Sequence, residues 1–224
     1  MIDHAATYRT RKLRHWHHRA RLRQLVREVS CFRDASSVAD VGCSNGYVTT
    51  VLDGICRGRV TGFDYLPSLI EEARARHPHM AFRLADLNRK IRWRRQYDLV
   101  CCFETLEHVG DLRAALDNLA AAVRTGGVLL ASVPVETGFW GIAKFCAKSC
   151  LGYRLDEIAA TRREYLWTLL RGRDITRFRE PRYAWGTHYG FDWRKVERGI
   201  AARMAISKAY TRYASRIIVA RKPA

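Results

Sequence analysis

A short apolar run that ends beside an acid and opens into a glycine-bracketed turn constrains this chain most. Residues 38–46 read Val-Ala-Asp-Val-Gly-Cys-Ser-Asn-Gly, so Asp40 stands just ahead of a turn that Gly42 and Gly46 enclose. A helical pattern follows the turn. A strand, a tight turn and a helix N-terminus in that order form the front of a nucleotide-binding βαβ unit, whose ligand lies beyond the carboxyl ends of the strands.

Asp40 discriminates between the ligands that such a turn can hold. A dinucleotide would place its pyrophosphate here, and a carboxylate two residues before Gly42 would repel it. The third glycine of dinucleotide folds is also absent, because the chain continues with Tyr47, Val48 and Thr49. The acid suits a ligand with a positive group at this point, such as the amino group of S-adenosylmethionine.

Two further acids follow at the ends of strand patterns. Residues 59–63 form a short apolar strand pattern that ends at Asp64, 22 residues after the first glycine of the turn. An acid at this tip can accept hydrogen bonds from both ribose hydroxyls of an adenosine. Residues 80–85 form a third strand pattern, and Asp86 and Leu87 follow it. We expect Asp86 to accept from the adenine amino group and Leu87 to pack on the ring.

These segments, in this order, resemble the class I S-adenosylmethionine-dependent methyltransferases, particularly the type 11 group that includes ubiquinone and menaquinone biosynthesis enzymes. The matching segments are residues 40–46, Asp64, the pair Asp86-Leu87, residues 103–108 (Phe-Glu-Thr-Leu-Glu-His) and residues 126–134 (Gly-Gly-Val-Leu-Leu-Ala-Ser-Val-Pro). The resemblance covers about residues 36–135, and Ser44 stands where the family often has glycine. It implies S-adenosylmethionine as cofactor and S-adenosylhomocysteine as product.

The resemblance also implies roles for individual residues. The cofactor-binding set that it implies is Asp40, Gly42, Cys43, Ser44, Gly46, Asp64, Tyr65, Asp86, Leu87, Phe103 and Glu104. His108 follows the fourth strand, where the family places residues that face the methyl group. It is our first candidate for a base, and the alternative is that it caps the next helix or orders the loop.

Other acids and a second histidine complete the candidates at the acceptor side. Glu107 is our second catalytic candidate, and it and Glu104 are placed to hydrogen-bond the cofactor's amino group or the acceptor. Glu136 and His188 are weaker candidates on segments that flank the mouth. Positioning alone supplies much of the rate of methyl transfer, so the lack of a conspicuous catalytic dyad excludes nothing.

Alternating strand and helix patterns predict a doubly wound, Rossmann-like α/β fold with a mostly parallel sheet. Strand patterns lie near residues 37–42, 59–64, 80–85, 97–103 and 127–134, and helical patterns lie near 46–56, 67–76 and 111–124. Two last strands are expected near 204–209 and 214–221, with a turn from Tyr210 to Tyr213. The resemblance implies that the last strand is antiparallel.

The chain divides into four predicted segments. Residues 1–35 form a basic N-terminal segment with a helix over 8–30, residues 36–135 the cofactor-binding core, residues 136–187 a helical insertion after the fifth strand, and residues 188–224 a final helix and strands. The apolar stripe of the first helix is Leu22, Leu25, Val26 and Val29. That helix either packs on the sheet or closes over the substrate. The insertion is either a lid over the pocket or a hairpin packed at the sheet edge.

The net charge of +18 lies on the flanks of the chain. Residues 1–33 carry a net charge of +7 and residues 134–224 one of +11, whereas residues 34–133 carry twelve basic and twelve acidic groups. A solvated basic face and an anionic partner account for this equally well. The partners that fit are a small-molecule acceptor, a phosphate- or lipid-linked acceptor, an anionic membrane surface and RNA.

Several other classes lack their signatures here. The Asn/Asp-Pro-Pro-aromatic turn of amino-methylating nucleic acid enzymes is missing after the fourth strand. No apolar run reaches the roughly 18 residues of a transmembrane helix, and the N-terminus has no apolar signal region, so we expect a cytoplasmic protein, with a peripheral position at the membrane as the alternative. The seven cysteines form no Cys-x-x-Cys pair. We expect free thiols and no metal site.

The function that we expect is methyl transfer from S-adenosylmethionine to a small-molecule or lipid- or phosphate-linked biosynthetic intermediate, at oxygen. The first alternative is an RNA methyltransferase whose basic flanks hold the backbone. The second is a non-catalytic protein that binds S-adenosylmethionine.

Overall fold

The computed structural model describes residues 16–150, 161–179 and 188–223. They contain one seven-stranded sheet of order β3-β2-β1-β4-β5-β7-β6. The strands are β1 (Ser37–Val41), β2 (Arg59–Asp64), β3 (Ala81–Leu84), β4 (Tyr97–Phe103), β5 (Val123–Pro134), β6 (Ala205–Arg212) and β7 (Ser215–Arg221). The first five strands pair in parallel, and β7 is antiparallel to both of its neighbours. The predicted doubly wound, mostly parallel fold is confirmed.

Helices cover both faces of this sheet. They are α1 (Trp16–Ser30), α2 (Tyr47–Asp53), α3 (Pro67–Arg76), α4 (Leu112–Ala122), α5 (Gly138–Cys150), α6 (Arg162–Leu170) and α7 (Trp193–Ala201), with single 3-10 turns at Leu106–His108 and Thr176–Phe178. The predicted start of the first helix, before Trp16, lies outside the described residues. None of the helices in the described ranges is long and apolar enough to span a bilayer.

The central strands are apolar on both sides because helices cover both faces. Cys101 and Cys102 of β4 are completely buried and belong to different core clusters, one on each side of the sheet. The prediction that these two thiols point to opposite faces is therefore confirmed. All seven cysteines are free.

The strand order reverses beside β1, and this places the candidate acids. In β1, Asp40 is in register with Gly62 of β2 on one side and with Cys101 of β4 on the other. The carboxyl ends of β1, β2 and β4 therefore meet at one edge of the sheet, where a ligand of a doubly wound fold binds.

The buried face of α1 differs from the predicted stripe. Leu25 and Val29 are buried as expected, but Leu22 and Val26 are only partly buried, and Gln24 is buried together with Glu28. The sequence pattern misplaced this face because Gln24 and Glu28 are polar. Contacts with β6 satisfy both side chains.

Side chains of β6 bind Glu28. Lys208 Nζ donates to Glu28 Oε1 at 2.8 Å, and the Tyr210 hydroxyl donates to the same oxygen at 2.6 Å. Gln24 Nε2 donates to the Tyr210 oxygen at 2.6 Å. These contacts dock α1 against β6, as a packed helix rather than a free one.

The end of β6 and the start of β5 differ most from the predicted strand boundaries. β6 continues to Arg212, so the hairpin turn is Tyr213-Ala214 rather than residues 210–213. Tyr213 and Ala214 have φ values of 51° and 55°, as a two-residue type I′ turn requires. Neither residue is the glycine or asparagine that marks such turns in a sequence. β5 begins at Val123, where it pairs with Tyr97 before a register shift.

The insertion after β5 has its own apolar core. Tyr165 of α6 packs between Phe145 of α5 and Phe178, with ring centroids 5.5 Å and 5.4 Å away. Leu169, Ile175 and Tyr189 complete the buried part of the same cluster. The described part of the insertion is thus a packed helical unit that directly follows the carboxyl end of β5. The boundaries of the four predicted segments stay predictions.

Candidate cofactor and acceptor site

The turn after β1 requires glycine at its first position. Gly42 has a φ of 86°, and a Cβ there would lie 2.1 Å from Thr105 Oγ1. Both the left-handed backbone and the close approach of the loop after β4 exclude a side chain. The backbone N–H groups of Gly42 and Cys43 donate to the Phe63 carbonyl at 2.7 Å and 3.0 Å. The turn is therefore attached to β2 and packed against the loop after β4.

Ser44 occupies a strained position in this turn. Its φ is 50°, a left-handed value that is uncommon for residues other than glycine. Its backbone N–H donates to Asp64 Oδ2 at 2.9 Å. Its hydroxyl oxygen is buried and has no hydrogen-bond partner among the described residues. An unsatisfied buried hydroxyl in a strained turn is typical of a ligand site.

Cys43 contributes its backbone rather than its thiol. The side chain is 3% exposed and packs with Ile70, Ala73 and Phe82. Burial raises the pKa of the Cys43 thiol, and the charges of Asp40 and Asp64 add to the rise. A buried neutral thiol is a poor nucleophile. The electrostatic effect also shows that both acids lie close to the turn.

Asp40 is the most deeply buried of the three acids at the strand ends. It is 2% exposed, and its Oδ2 accepts a hydrogen bond from Thr49 Oγ1 at 2.7 Å. Burial raises the pKa of Asp40 to about 7, and the nearby charge of Asp64 contributes to the rise. A positive group beside Asp40 would stabilise its carboxylate form, as expected for an amino group of the ligand.

Asp64 retains acceptor capacity at the tip of β2. Its Oδ2 accepts from Ser44 as described, and its Oδ1 accepts from the Leu66 N–H at 3.1 Å. A carboxylate has about four acceptor positions, so a ribose diol can bind to the remaining ones. The neighbouring Tyr65 is 45% exposed. Its pKa is raised by partial burial and by the charges of Asp64 and Asp86, which places its phenol near both acids.

The two residues after β3 have different surroundings. Asp86 Oδ1 accepts from the backbone N–H and the amide of Asn88, at 2.9 Å and 2.8 Å. Asn88 in turn accepts from the N–H groups of Gly110 and Asp111, so this loop is tied to the loop after β4. Leu87 is 5% exposed and belongs to the main core. Only a small part of its side chain faces outward.

Glu104 links four elements at the carboxyl end of β4. Its φ is 47°, and its Oε1 accepts from Ser132 of β5 at 3.0 Å and from Ser215 of β7 at 2.7 Å. Its Oε2 forms an ion pair with Arg21 of α1. Phe103, directly before it, is partly buried on the same side of the sheet as α1. Glu104 therefore has partners from the protein itself, including the helix that precedes the core.

The remaining candidates form one cluster beside these tips. Glu107 is completely buried, and His108 Nε2 lies 3.9 Å from its Oε1. The ring of His188 lies 5.2 Å from that of His108, between centroids. His188 Nδ1 is 3.5 Å from Glu136 Oε1, which also accepts from Lys144 Nζ at 2.8 Å. The structure thus brings all four sequence candidates for the acceptor side together.

The pKa values of the two acids in this cluster are shifted in opposite directions. Burial raises the pKa of Glu107 well above its usual range, and the charge of Glu104 adds to this. Burial opposes ionisation of Glu136 as well, but His188 and Lys144 hold the pKa of Glu136 below its usual value. Glu136 is therefore a carboxylate stabilised by charged partners, whereas Glu107 lacks such partners among the described residues.

Some contributors to the site have no signal in the sequence. Thr49 binds Asp40, Thr105 packs on Gly42, and Arg179 donates to the backbone carbonyl of Glu107. Gly190 has a φ of 72°, and a Cβ there would lie 2.6 Å from the Arg179 nitrogen. This glycine allows the segment of His188 to approach the insertion. Only the glycine itself is a detectable signal in the sequence.

A doubly wound sheet of this strand order, with a glycine turn after β1 and acids at the tips of the first strands, defines a class I S-adenosylmethionine-dependent methyltransferase fold. The chain belongs to the methyltransferase domain family, whose profile matches residues 6–186. S-adenosylmethionine is the cofactor of this family.

Curated relatives match a little less than half of the chain. The trans-aconitate 2-methyltransferase of Enterobacter sp. (strain 638) is 33% identical over 104 residues, which cover 45% of this chain and 40% of that protein. The ubiquinone biosynthesis O-methyltransferase of Methylobacterium sp. (strain 4-46) is 32% identical over 101 residues, covering 43% of this chain and 40% of that protein. The matched part thus spans about two fifths of the length of these relatives.

The fold similarity extends over nearly the whole chain. The magnesium protoporphyrin IX methyltransferase of Synechocystis PCC 6803, crystallised with S-adenosylhomocysteine, is 16% identical and superposes with a TM-score of 0.64. The superposition covers 96% of this chain and 91% of that chain. At this identity the comparison shows the fold alone.

The residues present fit the family's cofactor. The unpartnered Ser44 hydroxyl, the glycine at position 42 and the remaining acceptor positions of Asp64 all lie at the turn where a ligand of this fold binds. The buried Asp40 adds a negative charge at the same turn. These groups match a ligand with a ribose diol and a positive amino group.

Proposed function

We propose that this protein transfers a methyl group from S-adenosylmethionine to a hydroxyl oxygen of a small-molecule or lipid- or phosphate-linked biosynthetic intermediate. The observation that carries the proposal is the joining of the glycine turn to the tip of β2, through the Ser44 N–H and Asp64 Oδ2 at 2.9 Å. This bond brings the ribose-binding acid and the turn into one site. The relatives named for O-methylation support oxygen as the acceptor atom.

The cofactor supplies an electrophilic methyl group on a sulfonium centre. In our proposal, Asp64 accepts from the ribose hydroxyls and Asp86 from the adenine amino group. Asp40 faces the amino group of the methionine part, and Ser44 offers its hydroxyl beside it. These residues fix the ligand's orientation, and orientation is the main contribution that a protein makes to such a transfer.

The acceptor would lie beside Glu107, His108 and His188. These side chains follow the fourth strand or approach it from the segment after the insertion, so they border the carboxyl ends of the strands on one side. His108 is 37% exposed at its side chain and is our candidate to accept the hydroxyl proton. Lys144 and Glu136 position His188 from behind.

The surface of the insertion supports an acceptor with an apolar part. Phe139 and Trp140, at the start of α5, are 75% and 43% exposed, and Trp167 and Leu170 of α6 are 49% and 53% exposed. A Cβ at Gly141 would lie 3.2 Å from Leu169 Cδ2, so the start of α5 meets the end of α6. The four exposed side chains therefore belong to one end of the helical unit, which we call the aromatic end.

Basic groups border this aromatic end. The guanidinium of Arg171 lies 5.2 Å from the centre of the Trp167 ring, and Arg173 follows it as an exposed residue. Aromatic and basic residues together are typical of surfaces that contact anionic lipid. Glu136, in the cluster beside the strand tips, is only three residues before Phe139 of the aromatic end. Thr137 between them accepts from Trp193 Nε1 at 2.8 Å. An acceptor with an apolar chain could extend from the cluster onto this surface.

Cofactor titration tests the core of the proposal. We expect wild-type protein to bind S-adenosylmethionine, and Asp64→Ala to weaken binding by about 10- to 100-fold, since a hydrogen bond to a charged group contributes roughly 1.5–3 kcal/mol. Asp53→Ala is the matched control, because Asp53 is an exposed acid at the end of α2. Equal affinities of the Asp64 variant and the wild type would contradict the assignment of the pocket.

Transfer of a labelled methyl group to cell extract tests the acceptor class. The extract is separated into lipid, small-molecule and RNA fractions after reaction. Label in the lipid or small-molecule fraction supports the proposal. Label in RNA would favour the alternative, an RNA methyltransferase whose basic flanks hold the RNA backbone. In that case the affinity for RNA should fall steeply between low and moderate salt.

A further inference from the structure

We propose that Glu107, His108 and His188 form a binding site for one divalent metal ion. Each of the three side chains offers one ligand atom, and these atoms lie within 4.8 Å of one another. The residues come from distant parts of the sequence, since His188 follows the insertion. Two imidazoles and a carboxylate in this proximity are a ligand set that many metalloproteins use.

The surroundings of Glu107 provide an independent observation. The side chain is 1% exposed, and neither carboxylate oxygen has a hydrogen-bond partner among the described residues. A buried carboxylate is stable when it is paired, hydrogen-bonded or bound to a metal. Arg179 donates to the backbone carbonyl of Glu107 rather than to these oxygens. An ion between Glu107 and the two histidines would satisfy the carboxylate.

The partners of His188 orient it as a ligand. Its Nδ1 faces Glu136 Oε1 at 3.5 Å, which leaves Nε2 for an ion. Glu136 is itself held by Lys144 at 2.8 Å. A carboxylate behind a ligating histidine fixes the ring and raises its basicity, as in the outer shell of many metal sites. On the other side, His108 directs Nε2 toward Glu107, at 3.9 Å.

The ligand types narrow the choice of ion. Mg²⁺ and Ca²⁺ prefer oxygen ligands, whereas imidazole suits Zn²⁺, Fe²⁺ and Ni²⁺, and the carboxylate of Glu107 also suits Mn²⁺. Bonds of about 2.0–2.2 Å require the ligand atoms to approach one another by about 1 Å relative to their present separation. The partly exposed side chains of His108 and His188 can make this movement.

Three protein ligands leave open positions on the ion. Such an ion can bind an acceptor oxygen and lower the pKa of its hydroxyl, and His108 would then act as a ligand rather than as a base. This role rests on the proposed function. The binding site itself does not, because its ligands are separate from the acids that we assign to the cofactor.

Metal titration of tag-free protein stripped with a chelator tests the site. Co²⁺ is the probe, followed by visible absorption, with calorimetry of Zn²⁺ and Mn²⁺ alongside. We expect one ion per chain in this site and at least about 10-fold weaker binding in Glu107→Gln and His188→Gln. His79→Gln is the matched control, because His79 is exposed and lies just before β3, at the opposite end of that strand from the candidate site. It should bind as the wild type does.

The outcomes separate this proposal from the proposed function. Both ligand variants should fold, and His188→Gln should retain wild-type affinity for S-adenosylmethionine; thermal unfolding and calorimetry measure this in the same preparations. Should Glu107→Gln not fold, His188→Gln carries the test, since His188 is partly exposed. Wild-type Co²⁺ affinity in His188→Gln would overturn the metal site and leave the proposed function standing. Absence of S-adenosylmethionine binding by the wild type would contradict the proposed function and leave the metal site standing.

Discussion

The Ser44 N–H donates to Asp64 Oδ2 at 2.9 Å, and this bond holds a non-glycine residue in the left-handed conformation. The left-handed backbone costs about 1–2 kcal/mol for an L-residue. A second cost is the buried Ser44 hydroxyl without a partner among the described residues. The protein therefore keeps an energetically unfavourable serine where the resembling family often has glycine, and this suggests a direct role for the hydroxyl.

Ser44→Gly should stabilise the protein and weaken the binding of the cofactor. Glycine adopts this φ without strain and removes the unsatisfied hydroxyl, so we expect the free energy of unfolding to rise by about 1 kcal/mol. The affinity for S-adenosylmethionine should fall because the hydroxyl is lost. Urea unfolding and calorimetry measure the two effects. Unchanged affinity would show that the serine hydroxyl does not contact the cofactor.

Gly42→Ala should destabilise the protein and abolish cofactor binding. The new Cβ would collide with the Thr105 side chain, and the alanine would also have to adopt a φ of 86°. We expect a loss of roughly 2 kcal/mol or more. The double variant Gly42→Ala/Thr105→Ala should recover a large part of the steric cost, because it removes the two closest atoms of Thr105, and should not recover the backbone strain. A double-mutant cycle by urea unfolding separates the two, and full additivity would contradict the contact with Thr105.

Asp40→Asn should change the pH dependence of stability. In the folded protein the pKa of Asp40 is about 7, and in the unfolded chain it is about 3.9. As the pH rises from 4 to 7 the unfolded chain loses this proton first, so Asp40 progressively destabilises the fold, by an amount on the order of 4 kcal/mol at pH 8. Asparagine removes this effect and still accepts from Thr49.

Unfolding at pH 5 and pH 8 checks the sign. Asp40→Asn should gain more stability over the wild type at pH 8 than at pH 5, while its affinity for S-adenosylmethionine falls with the lost charge. The exposed acid variant Asp53→Asn is the control for general charge effects. An equal difference from the wild type at both pH values would contradict the raised pKa.

The sequence predicted what depends on local pattern and spacing. The glycine turn, the acids at three strand ends and the order of strands and helices all follow from short-range periodicity. The sequence did not predict the contacts of Glu104, whose partners Arg21 and Ser215 lie far away in the chain. Nor could it indicate that His188 meets His108, since residues of a loop come together only through the packing of the insertion.

The two errors have similar causes. The first helix was assigned an apolar face, but its buried face includes Glu28, which β6 satisfies from outside the helix. The hairpin turn was placed too early because Tyr213 and Ala214 adopt positive φ without glycine or asparagine. In both cases tertiary contacts decide a feature that a local pattern cannot contain.

Glu28→Gln should destabilise the protein at neutral pH. Burial opposes ionisation, but hydrogen bonds from Lys208 and Tyr210 hold the pKa of Glu28 below its usual value. Its stabilising effect is thus present above the unfolded pKa of about 4.3 and disappears as the pH falls through the lower folded value. We expect a loss of about 1–3 kcal/mol at pH 7 and a smaller one below pH 4.

Thermal unfolding of the Glu28→Gln variant across this pH range measures the difference. Glu71→Gln is the control, because Glu71 is an exposed acid on α3. A loss of stability that persists unchanged at low pH would show that packing, rather than charge, fixes α1 to β6.

The aromatic end of the insertion should bind anionic lipid. Phe139 is 75% exposed and Trp167 49% exposed, with Arg171 stacked on Trp167. Aromatic insertion and cationic attraction act together at such surfaces. Sedimentation with vesicles of anionic and of neutral lipid should therefore show binding to the anionic ones only. The double variant Phe139→Ser/Trp167→Ser should bind several-fold more weakly, while Leu84→Ser, an exposed apolar residue on β3, should bind as the wild type does. Equal binding by all three proteins would assign the attraction to the general positive charge of the chain.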